Sequence, residues 1–205
     1  MARTYDAMAP TWTQWADAVV PPLRERFTNV LLERLPPTSC VLEIGCGSGV
    51  PVAALLAHHF DLVHGIDISG EMVRHAQAVV PTGHFEVGDI AQADYDEASF
   101  DGIVAFTSLV HLPRDEQVKV FARIFDWMRP DGLFVASLGA SDFAESVEED
   151  WLDTGAMFWS SYDAETYQAM LERAGFTIEL AEVIRQKEPA GNDVAFLWVV
   201  ARKVG

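Results

Sequence analysis

The chain has 205 residues, half of them apolar and 22% charged, with 31 Asp and Glu against 14 Lys and Arg for a formal charge of -17. This composition excludes disorder and suits one domain able to bury a sizeable core. The acidic balance disfavours nucleic acid and anionic membrane surfaces, both of which are held through Lys and Arg. Cys40 and Cys46 form neither a disulfide framework nor a metal spacing. No run of about 18 apolar residues and no leader pattern is present. The expectation is a cytoplasmic protein without a metal, monomeric or homodimeric.

In chain order, residues 1–37 read as helical. Thr11 to Val20 has Trp12, Trp15, Ala16 and Val19 at helical spacing, and Leu23 to Arg34 stops at Pro36-Pro37. Cys40 to Ile44 is a short apolar run entering a glycine turn, hence a buried strand. Pro51 to His59 is a helix, Leu62 to Ile66 a strand ending in Asp67, and Ser69 caps a helix to Val79. His84 to Val87 and Phe100 to Phe106 are strands, Pro113 to Met128 a helix, and Leu133 to Leu138 a strand after the Pro130-Asp131-Gly132 turn. Ala140 to Tyr162 is polar, acidic and aromatic, an expected insertion. Asp163 caps a helix ended by Gly175, and Thr177 to Arg185 and Asp193 to Arg202 are strands joined through residues 189–192. The last link is too short for a crossover and implies antiparallel pairing. The reading is five βα units, one more helix and a terminal hairpin: an α/β, doubly wound, mostly parallel seven-stranded sheet.

The central feature is Glu43-Ile44-Gly45-Cys46-Gly47-Ser48-Gly49 at the end of the first strand. Glycines there let the chain turn sharply and a ligand approach closely. The spacing is GxGxG, not the dinucleotide GxGxxG. Glu43 would repel a pyrophosphate and favour a cation.

Val41 to Gly49 resembles the first motif of the class I S-adenosylmethionine-dependent methyltransferases, whose cofactor is cationic. Gly65-Ile66-Asp67-Ile68-Ser69 with Met72 resembles the family's second-strand motif, Gly88-Asp89-Ile90 the third and Phe100 to Val104 the fourth. Met128 to Leu133 and Leu171 to Phe176 resemble the turn before the fifth strand and the ending of the last helix. The resemblance covers roughly residues 38 to 202. It implies a Rossmann-like fold and S-adenosylmethionine held by Glu43, Gly45, Cys46, Gly47, Gly49, Asp67, Ile68, Met72, Asp89, Ile90 and Thr107. Asp67 would take the ribose hydroxyls and Asp89 the adenine amine, with Ile90 on the ring.

Methyl transfer needs a base only when the acceptor must lose a proton. His111 follows the fourth strand and is the base candidate; capping the next helix is its other reading. Residues 1–37 and 140–162 are the two expected lid segments, with Tyr5, Trp12, Trp15, Trp151, Phe158, Trp159 and Tyr162 as acceptor-facing aromatics or as plain cap packing. The place after the fourth strand reads Phe106-Thr107-Ser108-Leu109. It lacks the Asn/Asp-Pro-Pro-Tyr-type motif of enzymes that methylate exocyclic amines of nucleobases or glutamine amides. Methyl transfer to O, N or S of a small molecule leads. Macromolecule methylation, a non-catalytic cofactor-binding module and a nicotinamide oxidoreductase are the alternatives.

Overall fold

A computed structural model describes residues 1–19, 21–187 and 193–205, with side chains described outside 11–21 and 187. The expected 189–192 link and the Trp12 and Trp15 side chains lie outside these described residues.

Two helices come first, α1 (Ala2–Val19) and α2 (Pro21–Arg34); the first starts nine residues before the periodicity at Thr11 indicates. Strand β1 (Cys40–Ile44) is buried throughout, as a central parallel strand must be. Then follow α3 (Val52–His59), β2 (Leu62–Asp67), α4 (Gly70–Val79), β3 (His84–Val87), β4 (Phe100–Phe106), α5 (Arg114–Trp127) and β5 (Met128–Gly139). The insertion is a two-stranded hairpin of β6 (Phe143–Glu148) and β7 (Met157–Ser161). The chain ends with α6 (Ala164–Ala174), β8 (Phe176–Lys187) and β9 (Asp193–Lys203). Caps fall where side-chain chemistry puts them. Ser69 Oγ accepts from Met72 N, Asp163 accepts from Thr166 N, and Gly175 closes α6 at φ 111°.

The main sheet has the order β3-β2-β1-β4-β5-β9-β8. β9 alone among these strands runs antiparallel, pairing with both β5 and β8. One face is covered by α5 and α6 around Leu42, Ile103, Phe121 and Phe134; the other by α2 and α3 around Val41, Phe27, Leu56 and Trp198. The sheet is thus doubly wound.

Two expectations need correction. The third βα unit has no helix, because residues 88–99 cross from β3 to β4 as a loop. Asp89 organises it, its backbone carbonyl accepting from Gln92 N and Ala93 N and its Oδ1 from Ala91 N. Arg123 then holds the carbonyls of Ala91 and Ala93. Local side-chain bonding of this kind competes with helix. Second, β5 begins at Met128 rather than Leu133, since the 130–132 turn is a bulge inside the strand: pairing passes from Phe100↔Met128 directly to Gly102↔Leu133.

Candidate functional site

The parallel strands point their carboxyl ends at one cleft, the position where open α/β sheets bind ligands. It is a cavity of about 140 Å³ walled by the β1, β2 and β4 ends, the N-terminal helices, the insertion and the terminal hairpin.

The glycine turn forms its floor. Gly45 N and Cys46 N donate to the Ile66 carbonyl at 2.8 and 3.2 Å, tying the turn to β2. Gly45 sits at φ +74°, and a Cβ there would lie 2.4 Å from Ser108 Cβ. Only glycine allows the β4 end to come that close. Gly49 serves a different purpose: at φ +83°, a Cβ would lie 2.9 Å from Ala76 Cα. Gly49 does not line the cleft; it lets α4 pack on the turn.

Two carboxylates face this floor. Asp67 Oδ2 accepts from Gly47 N and Oδ1 from Ser69 N, both at 2.9 Å. Burial raises its pKa above the usual carboxylate range against those N–H donors. Glu43 is 6% exposed, and its Oε2 has no hydrogen-bond partner. Burial pushes Glu43 well up, with the nearby Arg24 guanidinium opposing and Asp67 adding to the shift. An unpaired buried acceptor beside a second carboxylate is a place for a cation or a donor-rich ligand.

Ile68, Met72, Asp89, Ile90 and Thr107 line the same cleft. Asp89 is both an Asx-turn residue and a cleft residue, because only its Oδ1 is engaged by Ala91 N. Thr107 stands at φ 53°, a strained value for a β-branched residue. Its N–H donates to Ser137 Oγ at 2.9 Å, and its Oγ1 accepts from Arg24 at 3.1 Å.

His111 is 6% exposed within the short helical turn Leu109–His111. Its Nδ1 lies 2.8 Å from the Phe158 carbonyl, which can only accept, so Nδ1 carries the proton. Nε2 then accepts from the Tyr5 hydroxyl at 2.8 Å. Burial lowers the His111 pKa from 6.5 to about 4, so the ring is neutral near pH 7. Burial likewise pushes the Tyr5 phenol up.

Both expected lid segments meet above this pair. Met8, Trp151 and Met157 form a small core of their own, flanked by Tyr5 and Trp159. Three successive residues of α1 fasten it. Thr4 donates to the Ala156 carbonyl at 2.9 Å, Tyr5 meets His111, and Asp6 accepts from Ser69 Oγ at 2.6 Å. Tyr5, Trp151 and Trp159 line the cleft. Phe158 contributes its carbonyl to His111 and does not line it. Tyr162 turns away, its ring under the Arg114 guanidinium at 4.3 Å and edge-on to Tyr167.

Arg24, Phe106, Ser108, Gln186, Val194, Phe196 and Trp198 also line the cleft, and none was among the sequence candidates. Arg24 was legible in part: it shares a helical face with Phe27, Thr28 and Leu31, all buried. The hairpin residues carry no such signal, being ordinary strand positions until β9 is slotted beside β5.

A protein-family model described as a methyltransferase domain matches residues 41–132. Methyltransferase GfsG of Streptomyces halstedii is 31% identical over 83% of this chain and 65% of its own length. The 27-O-demethylrifamycin SV methyltransferase of Amycolatopsis mediterranei is 31% identical over 91% of this chain and 76% of its own. Methyltransferase GfsG and several other curated relatives are spanned over less than two thirds of their own length, down to 30% for the phosphoethanolamine N-methyltransferase of Triticum aestivum. A solved SAM-dependent methyltransferase structure from Methanosarcina mazei superposes with a TM-score of 0.74 at 18% identity, over 91% of this chain and 99% of that one.

Proposed function

This chain belongs to the class I S-adenosylmethionine-dependent methyltransferase family, and we propose that it transfers a methyl group to O, N or S of a small-molecule acceptor. The observation that carries the reading is Glu43, whose buried Oε2 faces the cleft without a partner beside a second carboxylate, Asp67. That pairing suits a ligand bearing an ammonium, a sulfonium and ribose hydroxyls, and does not suit a pyrophosphate.

S-adenosylmethionine would supply an already activated methyl group. Glu43 would hold the ammonium of its amino-acid end beside the turn at Gly45, Cys46 and Gly47, whose N–H groups are already given to Ile66 and Asp67, with Thr107 opposite. Asp67 retains lone pairs for the ribose hydroxyls beyond the two it gives to backbone N–H groups. Asp89 would receive the adenine amine between Ile68, Met72 and Ile90. Gly49 stands outside this set, as helix packing.

The remaining contribution is alignment and exclusion of water. Residues 1–37 and 140–162 act as the lid, closing over the acceptor with Tyr5, Trp151 and Trp159. Where the acceptor has a proton to lose, it passes to the Tyr5 oxygen as the Tyr5 proton moves to His111 Nε2. The neutral ring has that lone pair available. Support comes from relatives that are themselves named as methyltransferases of small molecules, one a demethylrifamycin.

Calorimetry with S-adenosylhomocysteine and with NADH tests the reading. Binding of the first with no heat from the second is expected; the reverse would overturn it. A metabolite screen with homocysteine-coupled detection then identifies the acceptor.

A further inference from the structure

We propose that the arm of the cleft beneath the β8–β9 hairpin is an acceptor subsite, built to receive a carbonyl or carboxylate oxygen of an otherwise apolar acceptor. The proposal rests on the methyltransferase reading above for its setting. Its own support is the sorting of unpaired polar groups within the cleft.

Trp198 is 1% exposed, yet its indole Nε1–H has no hydrogen-bond partner. Gln186 Nε2 is likewise buried and unpaired. Both residues line the cleft, together with Arg24. The Arg24 guanidinium spends one Nη2 hydrogen bond on Thr107 Oγ1 at 3.1 Å and lies near Glu43. Trp and Arg side chains donate and never accept. A ligand group that meets them must therefore offer oxygen lone pairs. Buried donors without acceptors are rare in native proteins and call for an occupant.

The donors are also fixed in place. Trp198 stacks on Phe27 with ring centroids 4.7 Å apart and leans on Phe106 at 5.4 Å. Packing on both rings prevents the indole from turning its N–H toward solvent. Val52, Phe106, Val194 and Phe196 line the same cleft; Phe106 lies against Trp198 and Val194 pairs with Gln186 across the hairpin. Apolar walls with a few convergent donors describe a site for an apolar body carrying one oxygen pole. The opposite polarity stands at the glycine turn, where the unpaired atom, Glu43 Oε2, is an acceptor. The cleft thus offers an unpaired acceptor at the glycine turn and unpaired donors on the hairpin, with Arg24 close to the acceptor.

The test is nuclear magnetic resonance of isotope-labelled indole N–H groups in the protein saturated with S-adenosylhomocysteine. The chain has six tryptophans, and the spectrum of Trp198→Phe identifies the Trp198 signal. Should that variant fail to fold, perturbation of its neighbour in Gln186→Leu identifies it instead. The probes are benzoate, acetophenone and ethylbenzene at millimolar concentration. Benzoate and acetophenone should move the Trp198 N–H signal downfield and ethylbenzene should not; whichever of the two binds more tightly tells carboxylate from carbonyl. Gln186→Leu should weaken the tighter probe by about 5- to 10-fold. A protein that takes no S-adenosylhomocysteine would overturn the methyltransferase reading and the subsite together. One that takes it, but whose Trp198 signal moves with the homocysteine compound alone, would give these donors to the cofactor's carboxylate and overturn the subsite only. Equal response to ethylbenzene, or no response to any probe, would overturn it too.

Discussion

Tyr5 and His111, 106 residues apart in the chain, share a hydrogen bond of 2.8 Å from the phenol to Nε2. It joins the first helix to the turn after β4 across the top of the cleft, and the Phe158 carbonyl fixes the ring's tautomer from the insertion.

That buried neutral imidazole makes stability pH-dependent. Its folded pKa, about 4, lies below the ordinary 6.5, so the unfolded chain binds the proton first as pH falls. The His111 contribution is complete above pH 6.5 and is lost progressively between 6.5 and 4, by about 2 kcal/mol at pH 5. Urea unfolding near pH 7 and near pH 5 should show wild type losing more stability than His111→Gln. Equal losses would mean that the ring is accessible to protons in the folded state.

Tyr5→Phe removes the hydroxyl without removing the ring packed on Trp151. Turnover should fall about 10- to 100-fold for an acceptor that loses a proton, while S-adenosylhomocysteine affinity stays unchanged. A loss confined to cofactor affinity would place Tyr5 in the wrong half of the cleft.

Glu43→Gln neutralises a buried carboxylate whose charge is disfavoured by its surroundings. The ligand-free protein should melt no lower than wild type. S-adenosylmethionine affinity should nonetheless drop about tenfold. A lower melting temperature with intact affinity would make Glu43 a structural partner of Arg24 only. Asp67→Ala should weaken the same ligand by about 1.5–3 kcal/mol, the scale of charge-assisted hydrogen bonds; calorimetry reads both variants.

Gly49→Ala strains a left-handed residue and drives a Cβ to 2.9 Å from the Ala76 backbone. Stability should fall by about 1–3 kcal/mol. The same substitution at Gly45 meets the Ser108 side chain at the ligand floor, so it should impair S-adenosylhomocysteine binding as well as stability. Thermal melts with and without that compound separate the two glycines.

The sequence by itself determined the seven strands of the main sheet, though not the start of β5 or the β6–β7 hairpin, together with the glycine turn and the carboxylates Glu43 and Asp67 at the strand ends, because these follow from local rules. Apolar runs make buried strands, glycine permits the turn, and a strand end carries its acid wherever the strand goes. The loop at 88–99 escaped because side-chain bonds around Asp89 and Arg123 outcompete helix there, a contest that apolar periodicity does not record. The pairing of Tyr5 with His111, the entry of Arg24 beside Thr107 and the unpaired indole of Trp198 were decided by the tertiary structure alone. Each joins residues far apart in the chain, and their meeting depends on how the helices and the last strand pack around the sheet. That packing is fixed by mutual burial of whole faces, which no local pattern encodes.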